Sequence, residues 1–172
     1  TIAEDTNLSI AGLSISDADA GSGSVTVTLS VGEGTLTVGA GTSGAVVSNS
    51  GTSSVTISGT VAQINALLNT NATSTVSYID SSDAPGTSTT LSLSVNDNGN
   101  TGSGGALISN IATATINIGA VNDAPVAANT HGLYSATEQV ALSLKNTGLS
   151  ISDADAGGGS VTVTLSVGEG TL

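Results

Sequence analysis

One 25-residue segment occurs twice in this chain of 172 residues, and the duplication limits the possible folds more than any other feature of the sequence. Residues 12–36 and 148–172 agree at 24 of 25 positions, the exception being Ser22 opposite Gly158. The copies lie 136 residues apart, which exceeds the 20–50-residue period of a solenoid coil. The spacing therefore predicts a tandem array in which each unit is a domain of its own.

The similarity continues more weakly upstream, where residues 3–10 align with 137–144 and Glu4 aligns with Glu138. We therefore expect one full unit followed by the beginning of the next. The predicted parts are a β-sandwich repeat over 1–121, a linker over 122–134 and the truncated opening strands of the next repeat over 135–172.

Sequence patterns typical of β-strands occur throughout the first unit. Apolar residues in 25–31 alternate with Thr and Ser, the period of a strand with one buried face. The alternation recurs at 55–57, 91–95 and 111–118, and Gly, Asn and Ser clusters between these runs indicate turns. The pattern predicts an all-β fold, an antiparallel β-sandwich of seven or more short strands. Shorter candidate strands are 8–10, 13–15, 36–38, 45–47 and 76–79.

One segment departs from the strand period. Thr60 and Gln63 have the spacing of a capping box, and apolar residues follow them at helical spacing. The sequence predicts one short helix over 61–69, crossing an end of the sandwich.

Charge and composition exclude several kinds of function. The chain has 13 acidic residues, one Lys (Lys145), no Arg and a formal net charge of −12. Nucleic-acid binding and docking on anionic membranes both need cationic side chains. Without Cys and with His131 as the only His, thiolate and two-His metal sites are also excluded. No apolar run approaches the ~18 residues that would indicate a membrane span.

The acidic residues are concentrated in predicted loops. Calcium binds six to eight oxygen ligands from carboxylates, amides and carbonyls, and an Asp-x-Asp pair can direct two carboxylates at one ion. Two carboxylates ~4 Å apart repel by about 1 kcal/mol even in water, a cost that a divalent cation removes. A solvated acidic surface is the alternative. The predicted calcium ligands are Glu4, Asp17, Asp19, Asp97, Asn122, Asp123, Asp153 and Asp155.

Four motifs occur in an order that resembles a known family. Val95-Asn-Asp97-Asn-Gly99, a Gly/Ser-rich loop, ATATINI and Val121-Asn-Asp123-Ala-Pro125 are similar to the closing strands of a cadherin repeat. ISDADAG at 15–21 resembles the Asp-x-Asp-x-Gly ligand loop of that family. The whole of 1–126 resembles the cadherin-like tandem repeats of giant bacterial surface proteins, including RTX-type adhesins.

The resemblance implies a calcium-bridged β-sandwich displayed outside the cell, with ions at the joint between successive repeats. It departs from the family where Ala120 and Ala124 replace the first Asp and last Asn of the linker motif. The Asp-Arg-Glu loop of cadherins has no match, and Asp80 and Asp83 are the nearest candidates. The resemblance assigns Glu4, Asn122, Asp123, Asp153 and Asp155 to one joint, and Asp17, Asp19 and Asp97 to the joint with a preceding repeat.

These features favour a structural extender module of a cell-surface adhesin or filament over an enzyme. A carboxylate pair can serve as the acid and base of a glycosidase, but a catalytic site is rarely tiled, and Tyr78 is the one aromatic residue before the linker. A binding module for a sugar, a peptide or another cell is the alternative. The expected partners are neighbouring repeats of the same protein and, through strand pairing, other copies.

The chain holds two copies of the opening strands but one copy of the closing strands, 37–118. Short loops join 12–36 to those strands, so closure there costs less entropy than closure by the distant copy. We therefore expect 160–167 to lack sheet partners in its own chain. It would be disordered alone or would pair with a neighbouring chain.

Overall fold

The computed structural model describes residues 1–100 and 103–172, and its contacts divide the chain into two compact units, Thr1–Val121 and Asn122–Leu172. Thr101 and Gly102, part of the predicted Gly/Ser-rich loop, lie outside the described residues. Strands in sheets make up most of the regular structure, together with one short helical segment. The predicted all-β class is confirmed.

The strands of the first unit form two sheets. Their order is β1-β9-β8-β3-β6-β5 in the larger sheet and β2-β7-β4 in the smaller. In chain order the strands are β1 Ile2–Ala3, β2 Leu8–Ser9, β3 Val25–Val31, β4 Thr35–Gly39, β5 Val46–Ser48, β6 Ser54–Gly59, β7 Thr75–Ile79, β8 Ser88–Asn96 and β9 Ala112–Gly119.

One strand pair differs from the antiparallel prediction. β1 runs parallel to β9, with Ile2 opposite Ile118 and Ala3 opposite Gly119. A parallel pair needs a long connection rather than a hairpin turn, and nearly the whole unit separates these two strands in sequence. The pairing brings the opening and closing ends of the unit together.

The central strand of the larger sheet comes from the first copy of the duplicated segment. β3 pairs with β6 on one side and β8 on the other, so residues 12–36 take the closing strands, as predicted. Val27 and Leu29 of β3 are fully buried. Leu36 and Tyr78 of the smaller sheet belong to the same core, so both sheets contribute to it. Each such apolar side chain contributes roughly 1.5–3 kcal/mol.

The helical segment begins where the capping box predicts. The α-helix α1 spans Val61–Asn65, and a π-helical turn continues it over Ala66–Thr70. The Gln63 N–H donates to Thr60 Oγ1 (3.2 Å), and the Thr60 N–H donates to Gln63 Oε1 (2.9 Å). Within the described residues, no helix has both the length and the apolar character needed to cross a membrane.

The candidate strand 13–15 is not a strand in the first unit. The side chain of Asn65 takes the place of a neighbouring strand: its Oδ1 accepts the Ile15 N–H (2.9 Å) and its Nδ2 donates to the Ile15 carbonyl (2.8 Å). A helix side chain thus satisfies the backbone groups that a sheet would otherwise satisfy.

The second unit has a different pairing. β10 (Val126–Asn129) runs antiparallel to β11 (Leu149–Ser152), so the stretch predicted as a linker contains a strand. Residues 160–167 form no strand, and Val163 and Leu165 are 58% and 53% exposed.

Candidate metal-binding site

Glu4 is the most buried of the predicted ligands, with 5% of its surface exposed. The pairing of β1 with β9 places it beside the end of β9, where its N–H donates to the Gly119 carbonyl (3.1 Å). Its Oε1 accepts a hydrogen bond from the Val121 N–H, while Oε2 is buried without a hydrogen-bond partner among the described residues. Because a buried carboxylate oxygen without a partner is costly, this oxygen is suited to a cation.

Asp80 lies beside the same turn, since its carbonyl accepts the Asp5 N–H (2.7 Å). It is buried, but both of its carboxylate oxygens have partners, the Tyr78 hydroxyl at 3.2 Å and the Ser82 N–H at 3.0 Å. Burial is the largest cause that raises the pKa of Tyr78. The charge of Asp80 and the hydrogen bond from the Tyr78 hydroxyl to Asp80 raise it further. From the sequence, Asp80 and Asp83 are only the nearest candidates for the Asp-Arg-Glu loop of cadherins. The place of Asp80 one residue after the end of β7 was the available signal.

Asp17, Asp19 and Asp97 interact at one end of the first unit. Asp17 Oδ1 accepts the N–H groups of Asp19 (3.2 Å) and Ala20 (3.1 Å). The hydrogen bond with Asp17 is the largest cause that raises the pKa of Asp19, and the negative charge of Asp17 is the next. The charge of Asp97 raises this pKa by a smaller amount. The loop after residue 16 and the end of β8 thus carry carboxylates that repel one another.

Asp97 is held by its own turn. Its Oδ1 accepts the N–H groups of Gly99 (2.9 Å) and Leu107 (2.7 Å), and these two bonds lower its pKa. Asp97 is therefore ionised more readily than Asp19, which leaves a fixed negative charge beside the Asp17–Asp19 pair.

The predicted ligands of the second unit are also neighbours. The Asp123 N–H donates to Asp155 Oδ2 (2.9 Å), and the Asn122 amide donates to the Asp123 carbonyl (3.1 Å). A hydrogen bond between Asp153 and Asp155 raises the pKa of Asp153 and lowers that of Asp155. These interactions link all four predicted ligands of this unit, with Asp123 taking part through its backbone.

Asp17 and Asp153 occupy equivalent positions in the duplicated segment, and they form the same turn. Asp153 Oδ1 accepts the Ala156 N–H at 3.1 Å, the same length as the bond from Asp17 Oδ1 to the Ala20 N–H. The loop geometry is therefore a property of the local sequence Asp-Ala-Asp-Ala and does not depend on the surrounding sheet.

The donor chemistry of these clusters fits calcium, which prefers carboxylate and carbonyl oxygens. Across residues 1–100 and 103–172, no group of three or more His, Cys, Asp or Glu side chains lies close enough together to hold a metal ion. A calcium ion would therefore need backbone carbonyls, the Asn122 amide oxygen or water to complete six to eight ligands.

No family model, curated protein sequence or solved structure matches this chain. The function is therefore inferred from the chemistry and positions of its own residues.

Proposed function

We propose that this chain is a calcium-rigidified structural extender module of a bacterial cell-surface adhesin or extracellular filament, built from cadherin-like β-sandwich repeats. The buried Oε2 of Glu4, which has no hydrogen-bond partner among the described residues, carries the proposal. In a chain with 13 acidic residues and one Lys, a bound cation would neutralise that oxygen and give it a partner.

Calcium would supply two positive charges and a flexible coordination shell that accepts ligands from several loops. Glu4 would hold an ion at the end of β9. Asp17, Asp19 and Asp97 would have to move closer together, and be joined by backbone carbonyls and water, to hold one that ties the loop after residue 16 to the end of β8. The same holds in the second unit, where the ligands would be Asn122, Asp123, Asp153 and Asp155. An ion shared by two loops restrains both, and this stiffness is what a spacer module requires.

A sugar-binding role receives less support from the structure. Tyr78 is the single aromatic residue of the first unit, and it is 1% exposed. Its ring is therefore covered and is not available to stack on a sugar. The duplication of the Asp-x-Asp loop also favours a structural ion over a catalytic carboxylate pair, because a spacer reuses the same joint in every repeat.

Isothermal titration calorimetry of the 172-residue chain with Ca²⁺, in a background of Mg²⁺, tests the proposal. We expect saturable binding with Kd in the range ~10⁻⁴–10⁻³ M that is typical of extracellular modules. Asp153→Asn should weaken part of the binding, whereas the control Glu169→Gln, at an exposed glutamate, should leave it unchanged. Absence of saturable heat, or equal effects of the two substitutions, would contradict the proposal.

A further inference from the structure

The position of β3 is enclosed on both sides within the larger sheet of the first unit. Strands β6 and β8 pair with it on both sides, with Thr28 opposite Thr56 and Ser94. Its side chains at 25, 27 and 29 are fully buried. A segment that fills this position must match the alternation of Val25–Val31 at every residue.

The chain contains a second segment that meets this requirement. Residues 161–167 have the same sequence as β3, and the single difference between the two copies, Ser22 against Gly158, lies at an exposed position outside the strand. Val163 and Leu165 are more than half exposed, although the equivalent Val27 and Leu29 are fully buried. The 161–167 segment of the second copy therefore carries the side chains of β3 but forms no strand among the described residues.

The second copy is also within reach of the β3 position. Residues 122–147 separate the first unit from it, and once β10 releases β11 these 26 residues can span about 85 Å when extended. A unit of this size has a radius of gyration of roughly 14 Å. The tether is thus long enough to allow 148–172 to enter the sheet of its own chain.

We infer that the β3 position can be filled by either copy, so that the chain has two folded states that differ in which copy lies between β6 and β8. Because 161–167 repeats the sequence of β3, exchange replaces each β3 contact with β6 and β8 by an identical one, and the preference for the first copy comes from its short connections to its neighbours. Damage to the first copy reverses the preference. The occupant is the segment of the same chain, because a tether supplies an effective concentration of the order of mM. The inference does not depend on calcium binding.

Two matched substitutions test the exchange. Leu29→Asp places a charge at a fully buried position, whereas Leu165→Asp changes the equivalent, exposed residue. We expect L165D to leave the unfolding curve of the first unit unchanged and L29D to lower its midpoint while preserving a cooperative transition. The double variant L29D/L165D should lose that transition, because neither copy can then fill the position. If L29D alone abolishes the transition, or if the double variant unfolds like L29D, the inference is wrong.

A disulfide identifies the occupant directly, since the chain has no cysteine of its own. The Val31 N–H donates to the Ser53 carbonyl (2.9 Å), so Thr28 and Thr56 form a non-hydrogen-bonded pair, whose Cα atoms lie ~4.5 Å apart and permit a disulfide. Thr164 is the equivalent of Thr28 in the second copy.

We expect T56C/T164C in the L29D background to oxidise to an intrachain disulfide, detected by mass spectrometry of the monomer. The yield should be several-fold higher than for the control T56C/S160C, which is four residues out of register. Equal yields for the two pairs would overturn the inference, and a disulfide found only between chains would refute exchange within one chain.

Discussion

Replacing Glu4 by Gln should have opposite effects on stability with and without calcium. The substitution keeps the acceptor Oε1 for the Val121 N–H and removes the charge at the unpartnered Oε2. Without calcium, the wild-type protein carries the cost of a buried carboxylate oxygen that has no partner. With calcium, the same oxygen becomes a ligand.

The effect in chelator is the smaller of the two. An unsatisfied buried polar group costs about 1–3 kcal/mol, and more when it is charged. The Gln amide places an N–H donor group where Oε2 was, so Glu4→Gln recovers only the extra cost of the charge and should raise the free energy of unfolding slightly in chelator. A ligand at ~100-fold its Kd stabilises the folded protein by about 2.7 kcal/mol. The difference between variant and wild type should therefore shift by about 2.7 kcal/mol on adding calcium, in favour of the wild type.

Urea denaturation followed by far-ultraviolet circular dichroism, in chelator and in saturating calcium, measures both values. Glu138→Gln is the matched control, because Glu138 is aligned with Glu4 but exposed, and it should change neither value. If Glu4→Gln alters stability by the same amount in both conditions, Glu4 has no role in binding calcium.

Three further predictions concern the fold and its acidic loops. Asn65→Ala removes both hydrogen bonds to the backbone of Ile15 and should cost about 1–3 kcal/mol in urea unfolding. Leu67→Ala should cost about 2–5 kcal/mol because Leu67 is buried, whereas Leu107→Ala, at an exposed position, should stay within ~0.5 kcal/mol. Two backbone N–H groups lower the pKa of Asp97 below 3.8, its ordinary value, so its contribution to stability is present above that pH and is lost as the pH falls through the lower, folded-state pKa. Asp97→Asn should flatten this acid-side slope in thermal unfolding measured against pH.

Local patterns in the sequence identified the elements whose signals lie within a few residues. The alternation over 25–31 predicted β3, and the spacing of Thr60 and Gln63 predicted the start of α1. The change to a π-helical turn at Ala66 was not predicted, because apolar spacing over two turns does not distinguish the two helix types.

The duplicated segment shows why the rest required tertiary information. Residues 25–31 form a strand whereas the identical 161–167 do not, and 149–152 form a strand whereas the identical 13–16 do not. The available partners decide each case. Residues 25–31 pair with β6 and β8, and 149–152 pair with β10. In 13–16, the Asn65 side chain bonds to the backbone of Ile15 in place of a strand. Because β propensity depends strongly on context, one sequence supports both outcomes.

In the candidate site, too, local features were predictable from the sequence and tertiary ones were not. The turns of Asp17 and Asp153 are local and recur at equal hydrogen-bond length, so the sequence was sufficient to place these residues in ligand-like loops. The burial of Glu4 depends on the parallel pairing of β1 with β9, which joins opposite ends of the unit. No local pattern indicated that one of its oxygens would be left without a partner.

Hydrogen–deuterium exchange of the 172-residue chain, read by mass spectrometry with Ca²⁺ and with Mg²⁺ as the control ion, tests calcium rigidification most directly. Calcium should slow backbone amide exchange in the loops of Asp17–Ala20 and Asp153–Ala156 and around Glu4. The loop of Thr42–Gly44, which has no acidic residue, should exchange at the same rate in both. Identical exchange in calcium and magnesium at all of these segments would contradict a calcium-rigidified module.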